Sequence, residues 1–230
     1  MKRLSKRLQA IYDFVPQGAV VADVGADHAF LTLALLERGK ISWAQAIENK
    51  PGPFISMKSN IDSSPFSSHV ICSHSDGLSD LAPNVDCLVI AGMGGRLAYD
   101  ILEKGKEKLD GIETIILDPH RDLSYVREKV VALGYHIEDE AMVLEDKIFY
   151  SIILFKKGYP KKSYTKAELG LGPVLLKKKD PIFISFCLDS QRKVGRILDK
   201  KLSEEKRSEY LNLYRLLKKV IGDGGQSEER

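Results

Sequence analysis

A chain of 230 residues, 43% of them hydrophobic and 29% charged, with a formal charge of only +3, can bury one sizeable core and a small appendage, not several large domains. No apolar run approaches the ~20 residues a membrane helix needs, and no signal-peptide core follows the basic start (Lys2, Arg3, Lys6, Arg7), so no membrane association and a cytoplasmic protein are expected. Cys72, Cys87 and Cys187 form no C-x-x-C pair, which argues for reduced thiols and no metal.

In chain order, Leu4, Leu8, Ile11 and Tyr12 fall on one face of an amphipathic helix over 4–14. Strands are predicted at 19–24, 43–48, 69–74, 85–91, 112–118, 135–143 and 147–156, and helices at 28–38, 51–62, 95–104 and 121–134. Strands alternating with helices imply right-handed parallel crossovers in a doubly wound α/β sheet. The last two strands are separated only by Leu144-Glu145-Asp146, too short for a crossover, so they pair as an antiparallel hairpin. That pattern is a class I (Rossmann-like) methyltransferase fold: seven strands, mostly parallel, ending in an antiparallel hairpin.

Gly158 to Lys179 reads as a linker packing on the first domain. Asp180-Pro181 then starts a helix, an N-cap carboxylate followed by proline in the first turn. Phe183, Cys187, Ser190, Val194, Ile197 and Lys201 form one seam, which Tyr210, Leu213, Leu217 and Val220 continue after a second start near Ser203. A short coiled helical hairpin is expected, frayed from Gly222 to Arg230. The domains are therefore 1–158, catalytic, and 159–230, a linker with a basic hairpin. The first carries −4 of formal charge and the second +7, a distribution suited to a polyanionic partner or simply to a solvated appendage.

The most informative segment is Asp23-Val24-Gly25-Ala26-Asp27-His28, where the first strand turns towards the first helix. Ligands of doubly wound sheets lie at such carboxyl ends, and a glycine lets one rest against the backbone. Dinucleotide folds place three glycines here for a pyrophosphate. This loop has Gly25 alone, with Asp23 and Asp27 to repel phosphate, so it suits a nucleoside cofactor bearing a cation, and S-adenosylmethionine fits. Glu48, ending the second strand, can accept both ribose hydroxyls. Asp76-Gly77, after the third, can accept from an exocyclic adenine amine. Gly92-Met93-Gly94-Gly95, after the fourth, is a side-chain-poor floor between cofactor and substrate. Each carboxylate alone is an ordinary turn or cap residue; their succession along the strand ends is the signal.

Asp23-Val24-Gly25-Ala26-Asp27-His28-Ala29-Phe30-Leu31, Gly92-Met93-Gly94-Gly95 and Leu4-Ser5-Lys6-Arg7-Leu8 together resemble the bacterial tRNA adenine(22)-N1-methyltransferases, over nearly the whole chain. The resemblance implies S-adenosylmethionine as donor, N1 of a tRNA adenine as acceptor, and a cofactor pocket lined by Arg7, Asp27, His28, Glu48, Asp76 and Gly92. With Asp23, Gly25 and Gly77 these complete the expected cofactor set, with Arg7 on the cofactor carboxylate and Asp27 and His28 also expected to position the reactants. Met93, Gly94, Lys177, Lys178, Arg192, Lys193, Arg196 and Lys200 are the expected tRNA contacts, and a monomer the expected state.

Competing readings attach to several residues. His28 suits the cofactor, the target base or a helix cap; Arg7 and Lys177-Lys178-Lys179 are ordinary solvated cations on the plainer view. Asp118-Pro119-His120 is similar to the D-P-P-Y loop of exocyclic-amine methylases but lacks its second proline and aromatic and follows the wrong strand, so it reads as structural. Alternative functions are methylation of another RNA base or a small molecule, and a cofactor-holding module that binds RNA or protein without turnover. An NAD-dependent oxidoreductase is disfavoured by the single glycine.

Overall fold

The computed structural model describes residues 3–224, with side chains to 222. Two compact units divide the chain, Met1–Tyr164 and Thr165–Arg230. The first opens with α1 (Lys6–Phe14), whose start is capped by the Ser5 hydroxyl accepting from the Leu8 N–H. There follow β1 (Val21–Val24), α2 (Phe30–Glu37), β2 (Ala44–Glu48), α3 (Pro51–Asp62), β3 (Val70–His74), β4 (Cys87–Met93), α4 (Gly95–Lys104), β5 (Thr114–Pro119), α5 (Leu123–Ala132), β6 (Tyr135–Glu145) and β7 (Ile148–Lys157).

The seven strands form one sheet in the order β3-β2-β1-β4-β5-β7-β6. β1 to β5 are parallel, and β7 runs antiparallel between β5 and β6. The order reverses beside β1, so β1 and β4 border the topological switch point where such sheets bind ligands. Every residue of β1 and β2 is buried, as expected of strands covered on both faces. Ile11 and Val15, Leu31 and Leu35, and Met57 and Ile61 pack with Val21, Val89 and Ile116 on one face. α4 and α5 cover the other, where Gly95 lies so close to Val126 and the Arg121 carbonyl that a Cβ there would stand 2.5 and 2.6 Å from them.

The terminal hairpin is tighter than expected. β6 extends to Glu145 and β7 starts at Ile148, leaving only Asp146 and Lys147, both at positive φ (49° and 65°). This two-residue turn matches the strand twist without the usual asparagine-glycine pair. Midway along β6, Glu140 forms a fully buried ion pair with Arg127 of α5 at 2.7 Å.

The second unit corrects the linker expectation. Thr165–Lys179 is largely helical and belongs to this unit: α6 (Lys166–Leu171) opens with a capping box between Thr165 and Glu168, and α7 (Leu175–Lys178) buries Leu175. α8 (Pro181–Leu198) starts as expected, with Asp180 accepting from the Ile182 and Phe183 N–H groups, and α9 (Glu204–Gly224) completes the hairpin. Phe183, Cys187, Val194, Leu217 and Val220 are its buried seam. Lys201 lies past the end of α8 and is exposed, and Leu213 is 37% exposed, while Tyr214 instead approaches Gly195. α9 continues through Gly222 to Gly224; the rest of the expected fray, 225–230, lies outside the described residues. No described helix is long and apolar enough to cross a membrane.

Candidate functional site

Three backbone irregularities shape the loop after β1. Gly25, Asp27 and Ala29 all have positive φ, 78°, 35° and 55°, and strain of this kind in non-glycine residues gathers at ligand sites. The Gly25 and Ala26 N–H groups donate to the Ile47 carbonyl, which pins the loop to the end of β2. Ala29 in the left-handed region starts α2 with no side-chain cap, so His28 does not cap the helix. Its imidazole stacks on Phe30 (5.3 Å between centroids) with Nε2 3.8 Å from Asp27 Oδ1.

A cavity of about 220 Å3 opens over this loop, lined by Arg7, Asp23, Gly25, Asp27, His28 and Ala91 among others. A Cβ on Gly25 would stand 3.1 Å from the Met93 methyl, so the loop and the floor touch. Asp23 is buried and accepts from the Thr32 hydroxyl at 2.9 Å. Burial drives its pKa up to about 6 against the partial relief that hydroxyl provides. Glu48 is also buried, at the end of β2, where one carboxylate oxygen accepts from the Lys50 N–H at 2.9 Å.

Asp76 and Gly77 do not line this cavity; they border a separate one of about 320 Å3 with Leu97 and Ile101. The two edges are linked, since Asn49, directly after Glu48, donates to Asp76 Oδ1 at 3.3 Å. Glu48 and Gly92 line neither of these two cavities, although Gly92, at φ 77°, lies against the wall residue Arg7, whose Nη2 is 2.9 Å from where its Cβ would be.

Arg7 sits where the sequence placed it, on the cavity wall, but its Nε donates to Asp118 Oδ2 at 2.5 Å and its guanidinium lies over the Tyr150 ring. Asp118, read from sequence as structural, is thus the buried partner of a cavity-wall residue and does not itself line the cavity. It ends β5 beside β4, is 1% exposed, and its Oδ1 is buried with no hydrogen-bond partner among the described residues. Burial raises its pKa, opposed first by Arg7. No local signal in Asp118-Pro119-His120 announces this role, because the partner is 111 residues away in sequence.

The expected RNA-contacting cations lie in the second unit. Lys177 and Lys178 are on α7, and Arg192, Lys193 and Arg196 lie exposed on α8, with Lys200 just beyond it. Lys193 pairs with Asp189 at 2.8 Å. Among the described residues no group of three His, Cys, Asp or Glu side chains could hold a metal ion.

A methyltransferase-domain family model matches residues 4–153. The chain is 34% identical to the tRNA (adenine(22)-N(1))-methyltransferase of Bacillus subtilis over 96% of this chain and 98% of that protein. The crystal structure of the Bacillus subtilis M1A22 tRNA methyltransferase TrmK superposes with a TM-score of 0.86 at 34% identity, covering 95% of this chain and 99% of that one. The Streptococcus pneumoniae protein Sp1610, in complex with S-adenosyl-L-methionine, gives 0.87 at 32% identity, covering 95% of this chain and all of that one.

Proposed function

Because the chain belongs to the family of S-adenosylmethionine-dependent tRNA (adenine(22)-N(1))-methyltransferases, we propose that it methylates N1 of an adenine in the D-arm region of tRNA, in the cytoplasm and as a monomer. The observation that carries the reading is that the likeness runs through both units, not only through the methyltransferase domain.

The site fits the cofactor. The strand ends offer carboxylates where a nucleoside presents donors, and the cavity over Gly25 would be narrowed by any side chain there. Glu48 would hold the ribose hydroxyls and Asp76, across the Asn49 link and with Gly77 beside it, the adenine amine, while Asp23, Gly25 and Gly92 would lie against the rest of the cofactor. Arg7, Asp27 and His28 border the remaining volume on the side of α1. When bound, S-adenosylmethionine supplies an electrophilic methyl group on a sulfonium.

Adenine N1 is neutral at physiological pH and carries an available lone pair, so the protein need not remove a proton before attack. The task left to this chain is alignment and water exclusion over the floor Gly92–Gly94, with a carboxylate near the base as it becomes cationic. Asp27 is that carboxylate, with His28 beside it. N1 lies on the Watson–Crick edge, so the base must be unpaired to reach the site.

Glu48→Ala is expected to weaken binding of S-adenosylhomocysteine by about 1.5–3 kcal/mol, the range for losing hydrogen bonds to a charged group. Calorimetric titration measures this, and unchanged affinity would remove Glu48 from the site. Reversing the charge of Arg192, Lys193, Arg196 and Lys200 is expected to weaken tRNA binding and its salt dependence while leaving S-adenosylhomocysteine affinity intact. A folded variant that binds tRNA normally would exclude these cations from the interface.

A further inference from the structure

Beside the floor, the first unit carries a cationic cleft that the sequence reading missed. Its cavity of about 320 Å3 is lined by Gly94, Arg96, Leu97, Arg121 and Asp122. Arg121 Nε lies 3.2 Å from where a Gly94 Cβ would stand, so this side chain borders the floor itself. Arg96, near the start of α4, holds its guanidinium 4.6 Å from the centre of the Tyr125 ring. The two arginines stay 67% and 81% exposed and share Asp122 at 3.6 and 3.9 Å. One carboxylate between two guanidiniums leaves the cleft positive. Lys129 extends the cationic surface along α5, 5.8 Å from the Tyr125 ring centre and 6.0 Å from that of Tyr99.

We propose that Arg96 and Arg121 bind backbone phosphates of the RNA strand beside the target adenine. The inference rests on the tRNA reading above and places part of the RNA contact on the catalytic unit. Its geometric basis is continuity. Gly25 meets Met93, Met93 leads to Gly94, and Gly94 meets Arg121. A base brought to the floor therefore carries its own phosphates towards the side chains that rim it. The chemistry agrees, since a guanidinium fork matches two phosphate oxygens, and such contacts set register without reading sequence. Stacking on Tyr125 also orders Arg96 before RNA arrives, which lowers the entropic cost of the contact. Exposed ion pairs as long as those with Asp122 contribute little to stability, so the fold gives scant reason to place two arginines here.

The test is Arg96→Gln/Arg121→Gln in the full chain, with tRNA binding followed across a salt series and S-adenosylhomocysteine binding as the control. Loss of two phosphate contacts is expected to reduce the slope of log affinity against log salt by about 1.4–1.8, with weaker tRNA binding and unchanged control affinity. Arg96→Lys/Arg121→Lys, which keeps charge but loses the fork, is expected to weaken binding without changing the slope. If the glutamine pair does not fold, this lysine pair decides. Unchanged tRNA affinity and slope in a folded glutamine variant, or unchanged affinity in the lysine variant, would overturn the assignment. Binding is read without turnover, so the two ideas fail separately. An unaltered chain that binds tRNA through these arginines but methylates no adenine would contradict the functional reading alone.

Discussion

Arg7→Met is expected to destabilise the first unit by about 3 kcal/mol, near the low end for breaking a buried ion pair because Arg7 keeps 23% exposure. Adding Asp118→Leu is expected to recover most of that loss. The single variant strands a buried carboxylate whose second oxygen already lacks a partner, whereas the double variant removes the charge that needs compensation. The deficit of Arg7→Met should also shrink in acid. Asp118 has a folded-state pKa raised above its ordinary value, so its protonated form favours the fold, and stability is lost as pH rises through that pKa. Removing Arg7 raises it further. Urea unfolding of the four proteins across pH measures both effects. A double variant no more stable than Arg7→Met would show that the pair is not what Arg7 contributes.

Asp23→Asn is expected to stabilise the protein above pH 7 by roughly 2–3 kcal/mol, because a carboxyl moved from 3.8 to about 6 by burial costs that much when ionised. The sign follows from the raised pKa. The contribution of Asp23 is fully favourable below its unfolded value near 3.8 and is lost as pH rises through about 6. The advantage of the asparagine variant should therefore vanish by pH 4. An unfolding difference that stays constant between pH 4 and 8 would rule out titration of Asp23 as its source. Keeping a costly carboxylate at the cavity wall has the form of a stability–function trade-off, and the same variant is expected to bind S-adenosylhomocysteine more weakly.

Local signals carried much of this fold. α3 and α4 begin and end where the sequence put them, each entered through a residue that breaks the preceding extended run, Pro51 and Gly94. The hairpin of β6 and β7 was legible from the short connection between them. The place of β7 between β5 and β6 was not, because strand order depends on pairing across the sheet rather than on any local pattern. α6 was missed although Thr165 and Glu168 form a capping box; the glycines and proline around that short helix obscured it. In the site, the glycine turn and its acidic neighbours announced a cavity that now gathers Arg7, Asp23, Gly25, Asp27 and His28. Asp76 and Gly77 border a different depression. Asp118 and the arginine cleft could not be read locally, since both acquire meaning only from partners brought together by the fold.

The identity of the methylated product tests the assignment to tRNA adenine N1 most directly. Purified protein, S-adenosylmethionine and a pool of unmodified tRNA should be incubated together and the nucleosides then separated and weighed by mass spectrometry. The expected result is 1-methyladenosine as the single new nucleoside, formed on folded tRNA and nearly absent when a short single-stranded adenine oligonucleotide replaces it. A different methylated nucleoside, equal turnover on the oligonucleotide, or no methyl transfer by protein that binds S-adenosylhomocysteine would contradict it.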